Sequence, residues 1–313
     1  MPKNTLGFLF LLTSGIACAS SSADMAPPAS PEARAPLVVD EIRANTKKYL
    51  LEQGVPADFI DEIELKYTPR KKWFQEALKL LEPNVFGFLY QGNYMKHDSK
   101  RARRKTHRYL LAHRNSFMAA QKRYQVSPES IAALLWVETK LGTDMGSHPI
   151  PFVFYSIALA SQTPVCQEME KLVEPKLSIS TLSDKPDLPS ALKKLGERCK
   201  QKSDWAASEL KALSSLHEKG RLNAFDLRGS FAGAFGIPQF LPSSYEKYAV
   251  SDYRKKPNLF LISDAILSVG NFLKQNGWKS DSADSQSTAL YAYNRSKDYG
   301  VVIRQIAERL DDI

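Results

Sequence analysis

Apolar residues recur at three- and four-residue spacing along most of this chain, the signature of helices that bury one side. The pattern begins near Val38 and recurs over Trp73 to Leu81, Tyr109 to Tyr124 and Ala191 to His217, then over Ile262 to Asn276 and Tyr299 to Leu310. The most informative segment opens with Ser127-Pro128-Glu129: an N-cap, a proline suited to the first helical position, and an acid that complements the positive helix end. Ile131, Leu134 and Leu135 then form a buried stripe, and Glu138 falls on it by helical spacing. Gly142 is placed to end this helix just beyond Leu141. Two segments break the periodicity. Gln167 to Pro189 is polar and carries Pro175, Pro186 and Pro189, which reads as an insertion; Gly229 to Pro242 is glycine-rich. Ser243 and Glu246 match a capping box for the helix that follows. No internal repeat and no clear domain cut are visible, and the fold class is mainly α.

Composition changes this picture little: 313 residues, 43% hydrophobic and 25% charged, describe an ordinary globular chain. The N-terminus changes it more. Residues 1–19 read as an export signal, with Lys3, a short apolar core from Leu6 to Leu12, and small residues after it. Two cleavage readings stand side by side. Ala17-Cys18-Ala19 fits an ordinary signal peptidase, while Ile16-Ala17-Cys18 resembles a lipoprotein box that would put a lipid anchor on Cys18. Residues 20–37 are rich in Ser, Ala and Pro and form a flexible linker, which leaves 38–313 as the folded body. No other segment is apolar and long enough to cross a membrane.

Once Cys18 is assigned to the signal, Cys166 and Cys199 remain, and an even remainder in an exported chain reads as one disulfide bracketing the insertion; two unpaired buried thiols are the alternative. No metal-ligand spacing occurs, so no metal and no cofactor are expected. The formal net charge is +9, which favours anionic polymers without choosing among them. The densest basic run, Lys100 to Arg108, is a solvated helix face or a patch turned to the cell wall. Nucleic acid is an improbable partner, given the export signal and the lack of a recognition motif.

A carboxyl on an apolar helix face is costly to ionise, so desolvation raises its pKa and suits it to general acid work near neutral pH. A Glu138 that turns to solvent or pairs with Lys140 is the alternative. The segment Gly229-Ser230-Phe231-Ala232-Gly233-Ala234-Phe235-Gly236-Ile237-Pro238-Gln239 lets backbone pass close to a ligand while rings line its surface; it is equally compatible with a tight packing turn, and it lacks the Gly-Lys-Ser/Thr of a phosphate loop. Tyr291-Ala292-Tyr293-Asn294 supplies rings and a carboxamide of the kind that stack on and hydrogen-bond to sugars, or a loop with packing tyrosines.

These elements in this order resemble the lytic murein transglycosylases of the B type, a branch of the lysozyme-like superfamily. The matching stretches are Ser127 to Gly142 with Val137-Glu138-Thr139, and Ser230 to Val250 with Gln239-Phe240-Leu241-Pro242-Ser243-Ser244-Tyr245. Asn271 to Trp278 and Tyr293-Asn294 complete them. The resemblance covers about 80 residues from Ser127 onward and is weak before that. It implies a lysozyme-like helical fold with a saccharide-binding cleft. Within that cleft, Glu138 would be the catalytic acid and base, and Ser230, Gln239, Tyr293 and Asn294 would bind substrate or orient the carboxyl. Phe240 and Tyr245 would be structural. Two departures stand out. The family often carries a calcium loop where this chain reads Ser251 to Asn258, with one acid among three cations, too few oxygen ligands for calcium. The cysteine-flanked insertion, 166–199, is also unlike the family.

An ordinary glycosidase uses two carboxyls, and none besides Glu138 has a comparable context. The resemblance therefore implies cleavage of the β-1,4 bond between N-acetylmuramic acid and N-acetylglucosamine in peptidoglycan glycan strands, with the sugar's own C6 hydroxyl closing a 1,6-anhydro ring. A lysozyme-type hydrolase, and a wall-binding protein without turnover, are the alternatives. A monomer acting in the periplasm or cell envelope is expected.

Overall fold

The computed structural model describes residues 35–310; the export signal, Cys18 and the linker up to residue 34 lie outside them. Helices α1 (Ala35–Glu52), α2 (Ala57–Tyr67) and α3 (Trp73–Phe86) come first, followed by α4 (Lys100–Ala112), α5 (Arg114–Tyr124) and α6 (Pro128–Thr139). The Ser127 hydroxyl caps α6 by accepting the Ser130 N–H at 3.2 Å, with Pro128 in the first turn, as the sequence predicts. Two features of α6 differ from expectation. It carries no single stripe, because every residue from Ile131 to Leu135 is fully buried. A helix apolar all round belongs at the centre of the molecule, and α4, α5, α12 and α14 pack around this one. It also ends at Thr139, two residues early, because Lys140 and Leu141 take left-handed φ values of 52° and 64° ahead of Gly142 at 87°.

The next helix, α7 (Ile150–Ala158), is buried along its whole length. The polar stretch between the cysteines is partly helical, forming the second half of α8 (Thr163–Glu170) and all of α9 (Val173–Ser178). The long α10 (Leu188–Glu218) starts ahead of the predicted Ala191 because Asp187 caps it. Cys166 and Cys199 form the disulfide, with Cα atoms 6.3 Å apart, so α8 is stapled to the first half of α10. The stapled unit also closes on the preceding chain, where Ser180 donates to the Leu89 carbonyl at 2.6 Å.

After α10 the chain enters the glycine-rich segment. Strand β1 (His148–Pro149) pairs antiparallel with β2 (Arg228–Gly229), and the backbone beyond β2 turns back on itself. Glycine is required twice in this turn. A Cβ on Gly229 would lie 2.0 Å from the Ala234 carbonyl oxygen. Gly233, at φ +85°, would press one to 2.2 Å from the Phe154 ring. Helices α11 (Pro242–Tyr248), α12 (Ile262–Gln275), α13 (Ala283–Tyr293) and α14 (Lys297–Glu308) complete the order. The Ser243–Glu246 capping box does not form. Glu209 of α10, itself buried, takes both the Ser243 N–H and its hydroxyl, at 3.0 and 2.7 Å, while Glu246 reaches Lys219 at the surface.

The cross-link spans 33 residues of sequence. Replacing Cys166 and Cys199 together by Ala should lower unfolding stability by about 3–4 kcal/mol in the chain-entropy picture. Urea denaturation of the oxidised protein and the double variant measures the difference, and equal midpoints would contradict the assignment.

Candidate active site

Where α6 stops, Glu138 is the last residue but one, and the left-handed exit turns the chain away from its side chain. Thr139 locks that exit: its hydroxyl donates to the Ile237 carbonyl at 2.8 Å and accepts the Gly142 N–H at 2.9 Å, tying α6 to the glycine-rich segment. Glu138 keeps part of its surface open, whereas its neighbours on α6 are closed off. Its Oε1 accepts a hydrogen bond from the Tyr299 hydroxyl at 2.5 Å. Burial is the main influence on its acidity and pushes the pKa up to about 7; the Tyr299 hydrogen bond and the Lys140 charge both pull the other way.

Tyrosines form the floor around this carboxyl. The Tyr293 and Tyr299 rings stack at 6.3 Å with an interplanar angle of 14°, and Tyr94 meets Tyr299 edge-on at 5.6 Å. Burial, with the Glu138 charge behind it, raises the pKa of Tyr293 and Tyr299 well above the ordinary phenol value, so both remain hydrogen-bond donors. The Tyr293 hydroxyl donates to the Pro238 carbonyl. Asn294 caps α13, and its Nδ2 donates to the Tyr94 hydroxyl at 3.3 Å. Gln239, at a left-handed φ of 53°, spends both carboxamide hydrogens on the Gly236 and Met145 carbonyls, at 2.9 and 3.2 Å. It therefore braces the loop after α6 against the glycine-rich segment and leaves its Oε1 as an acceptor. The Ser230 oxygen accepts the Ala232 and Ala234 N–H groups, at 3.3 and 3.1 Å, so it shapes the same turn.

Lys140 lies on the other side of Glu138. Its ammonium sits 5.0 Å from the Trp136 ring centroid and against His97 Nδ1. Burial, helped by the Lys96 charge, lowers Lys140 to about 8. Burial, with Lys140 and Lys96, lowers His97 to about 4, so the imidazole is neutral and accepts from the ammonium. Asp144, the nearest acid in sequence, is exposed.

Of the residues singled out from sequence, Glu138 and Tyr293 are brought together, Asn294 joins them through Tyr94, and Gln239 and Ser230 hold the adjoining turn. Tyr299 was missed. It was visible only as the start of the last helical pattern, and nothing local distinguishes a tyrosine that will meet a glutamate 161 positions away.

A calcium ion does not fit the loop from Ser251 to Asn258. The buried Asp264 carboxylate accepts the Ser251 hydroxyl and the Asn258 N–H, each at 2.8 Å, and Asp252 pairs with Arg123 at 2.5 Å. Hydrogen bonds and an ion pair thus do the ordering that oxygens around a cation would do. Among the described residues no group of three or more His, Cys, Asp or Glu side chains is arranged to hold a metal.

The helices that hold this carboxyl among tyrosines at the end of α6 form a lysozyme-like helical fold. The chain belongs to the Transglycosylase SLT domain family, whose pattern matches residues 39–288. It is 29% identical over 157 residues to the membrane-bound lytic murein transglycosylase B of Escherichia coli K12, a match that covers 50% of this chain and spans about a third (33%) of that relative's length. Its fold is similar to that of the Escherichia coli lytic transglycosylase Slt35 in complex with calcium, with a TM-score of 0.60 at 16% identity over 86% of this chain and 92% of that one. It is also similar to SltB3 of Pseudomonas aeruginosa in complex with NAG-anhNAM-pentapeptide, with a TM-score of 0.59 at 15% identity over 87% and 79%.

The Glu138 environment makes a prediction independent of any activity. Its folded pKa lies above the 4.5 of an unfolded carboxyl, so its contribution to stability is lost as pH rises from 4.5 to about 7. Glu138→Gln should therefore stabilise the protein at pH 8 by on the order of 3 kcal/mol relative to its effect at pH 4. Tyr299→Phe, by removing a hydrogen bond to the charged form, should move the Glu138 midpoint still higher. Thermal unfolding across pH and carboxyl-carbon NMR titration read the two effects; a Glu138 midpoint near 4.5 would refute the burial argument.

Proposed function

We propose that this protein cleaves the β-1,4 bond between N-acetylmuramic acid and N-acetylglucosamine in peptidoglycan as a lytic transglycosylase, with Glu138 as its one acid and base. The observation that carries the reading is the Glu138 carboxyl itself, desolvated, hydrogen-bonded to Tyr299 and raised to about 7. A group with that pKa is substantially protonated at neutral pH and returns readily from its charged form.

In the first step Glu138 gives its proton to the glycosidic oxygen. The bond from that oxygen to C1 of the muramyl sugar breaks, the N-acetylglucosamine end leaves as an alcohol, and positive charge develops at C1 and the ring oxygen. The 2-acetamido carbonyl shares that charge. In the second step the C6 hydroxyl of the same muramyl sugar bonds to C1, and the Glu138 carboxylate takes its proton. No water enters, and the acid is regenerated. Tyr299 holds the carboxyl at one oxygen and stabilises its charged form between the steps. Tyr293, Asn294, Gln239 and Ser230 line the groove that binds the glycan, through ring faces, the free Gln239 acceptor and the Ser230 hydroxyl hydrogen.

The family assignment, and the anhydromuramyl ligand named for the SltB3 structure, support anhydro products over hydrolysis. The other buried carboxyl that desolvation raises among the described residues, Glu209, is held by Ser243 and so is committed to the start of α11, which supports the same reading. Residues 38–313 act as one catalytic unit carrying the 166–199 elaboration, and the work is done in the cell envelope after export. No helix among the described residues is long and apolar enough to cross a membrane.

On purified sacculi, Glu138→Gln should keep the fold and reduce turnover on the order of a thousandfold. Mass spectrometry should find 1,6-anhydro ends, one water lighter than hydrolysed ends. Retained turnover in the variant would remove Glu138 from the mechanism, and hydrated ends would make the enzyme a lysozyme. For the wild type, kcat/KM should fall as pH rises above about 7, where the free enzyme loses the Glu138 proton.

A further inference from the structure

Arg198, Lys202 and Trp205 stand at four- and then three-residue spacing on α10, which places them in one stripe, and all three are half-buried. The stripe is tied to the glycine-rich segment by two routes. Arg198 Nη2 donates to the Asn84 carbonyl at 2.9 Å, and Asn84 Nδ2 donates to the Phe231 carbonyl at 3.1 Å, one residue beyond Ser230. The Trp205 ring meets the Phe154 ring edge-on at 5.5 Å, and Phe154 is the ring against which Gly233 is seated. These contacts seat the stripe as a wall beside the glycine-rich segment, which Thr139 in turn ties to the end of α6.

This stretch of wall carries two cations and no acid. The Arg198 Nε is buried without a hydrogen-bond partner. The Lys202 ammonium rests 4.2 Å from the Trp205 ring centroid, and the charge that bears on it is that of Arg198, of like sign. The nearby carboxylates are committed elsewhere. Asp204 serves Lys200 and Tyr49, Glu209 holds Ser243, and Glu82 pairs with Lys176. Burial, with Arg198, lowers the Lys202 pKa to about 8. Two partly desolvated cations side by side are expensive, and an arriving anion relieves both at once.

We propose that Arg198, Lys202 and Trp205 form a subsite, separate from the Glu138 site, that takes a carboxylate of the peptide stem borne by the glycan, with the stem backbone lying along the indole. This rests on the peptidoglycan reading above. Within that polymer the sugar rings are neutral, and the peptide branches carry carboxylates where a wall beyond the sugar groove can meet them. The disulfide holds the stripe in place, because Cys199 is the residue next to Arg198. The cysteine-flanked insertion thus supplies Arg198, and Lys202 and Trp205 follow just past Cys199 on the same helix.

The test compares kcat/KM on peptide-bearing glycan strands with kcat/KM on strands stripped of their peptides by an amidase. Lys202→Met, which keeps an apolar stem over Trp205, should lower that ratio roughly tenfold through KM, as loss of one partly buried ion pair does. Lys202→Arg should restore most of it. Converting the peptide carboxylates to amides should lower the wild-type ratio in the same way. Lys200→Met, on the same helix but paired with Asp204, should leave it unaltered. An unchanged ratio in Lys202→Met overturns the subsite, as does an equal loss on stripped strands, which would move the contact to the sugar's lactyl carboxylate. If the wild type releases no fragments from either substrate, it is the catalytic reading that fails. The subsite is then judged by titrating a soluble peptide-bearing disaccharide onto Glu138→Gln protein with and without Lys202→Met: about tenfold weaker binding supports it, and equal affinity ends it.

Discussion

The site depends on how α6 ends. A helix buried on every side can present a side chain to a groove only at its terminus, and α6 has apolar neighbours around its full circumference. Glu138 reaches the groove because the chain leaves the helix one residue later, through two non-glycine residues in the left-handed region. Each costs on the order of 1–2 kcal/mol relative to right-handed backbone. The Thr139 hydroxyl, bonded to Ile237 and Gly142 at once, holds the strained turn against the glycine-rich segment. Strain of this kind persists where the surroundings over-determine it, and here it lies directly beside Glu138.

The electrostatics follow from the same placement. Protein on most sides of Glu138 removes water and raises its pKa, and that effect left alone would make the carboxyl a weak acid, slow to give up its proton. Tyr299 and Lys140 moderate it without cancelling it. Lys140 is in turn held partly desolvated against a neutral His97 over Trp136, so its charge is present but muted. A fully solvated lysine would be too well screened to act on Glu138, and one in direct contact would fix the carboxyl in its charged form. Lys140, just past the end of the helix, is thus one of two groups that temper an acidity set mainly by burial.

What could be read from sequence was whatever depends on near neighbours. The Ser127-Pro128-Glu129 cap, the disulfide inferred from cysteine count and an expected export, and the helical class all rest on local chemistry or composition, and the structure bears out the cap, the disulfide and the class. The misses share one cause. Ser243 finds Glu209 from a helix 34 positions earlier instead of Glu246 three positions on, because a buried carboxylate needs donors more than an exposed one does. The α6 stripe disappears because neighbouring helices cover faces that a periodicity argument assigns to solvent. Tyr299 went unseen because its partner is remote in sequence, although Tyr293 could be picked out from its company with Asn294.

The long α10 joins these observations. Its apolar positions pack on α3 and α7 as part of the core, Glu209 fixes the start of α11, and its stripe of Arg198, Lys202 and Trp205 runs along the edge of that same contact, with Arg198 on Asn84 of α3 and Trp205 on Phe154 of α7. A helix that is at once core and wall cannot shift without disturbing both. A substitution at half-buried Lys202 is different, since it leaves the apolar spine of the helix in place. The fold is shared with relatives at 15–16% identity, so most side chains on such walls have been exchanged while the helices kept their stations. The Glu138 end of the groove is built from α6, α13 and α14, which pack on one another or on their shared neighbours; the α10 stripe begins at the disulfide and is held on α3 and α7. A groove divided in this way can keep its chemistry fixed and alter what surrounds the scissile sugar, because the two ends draw their rigidity from different parts of the chain.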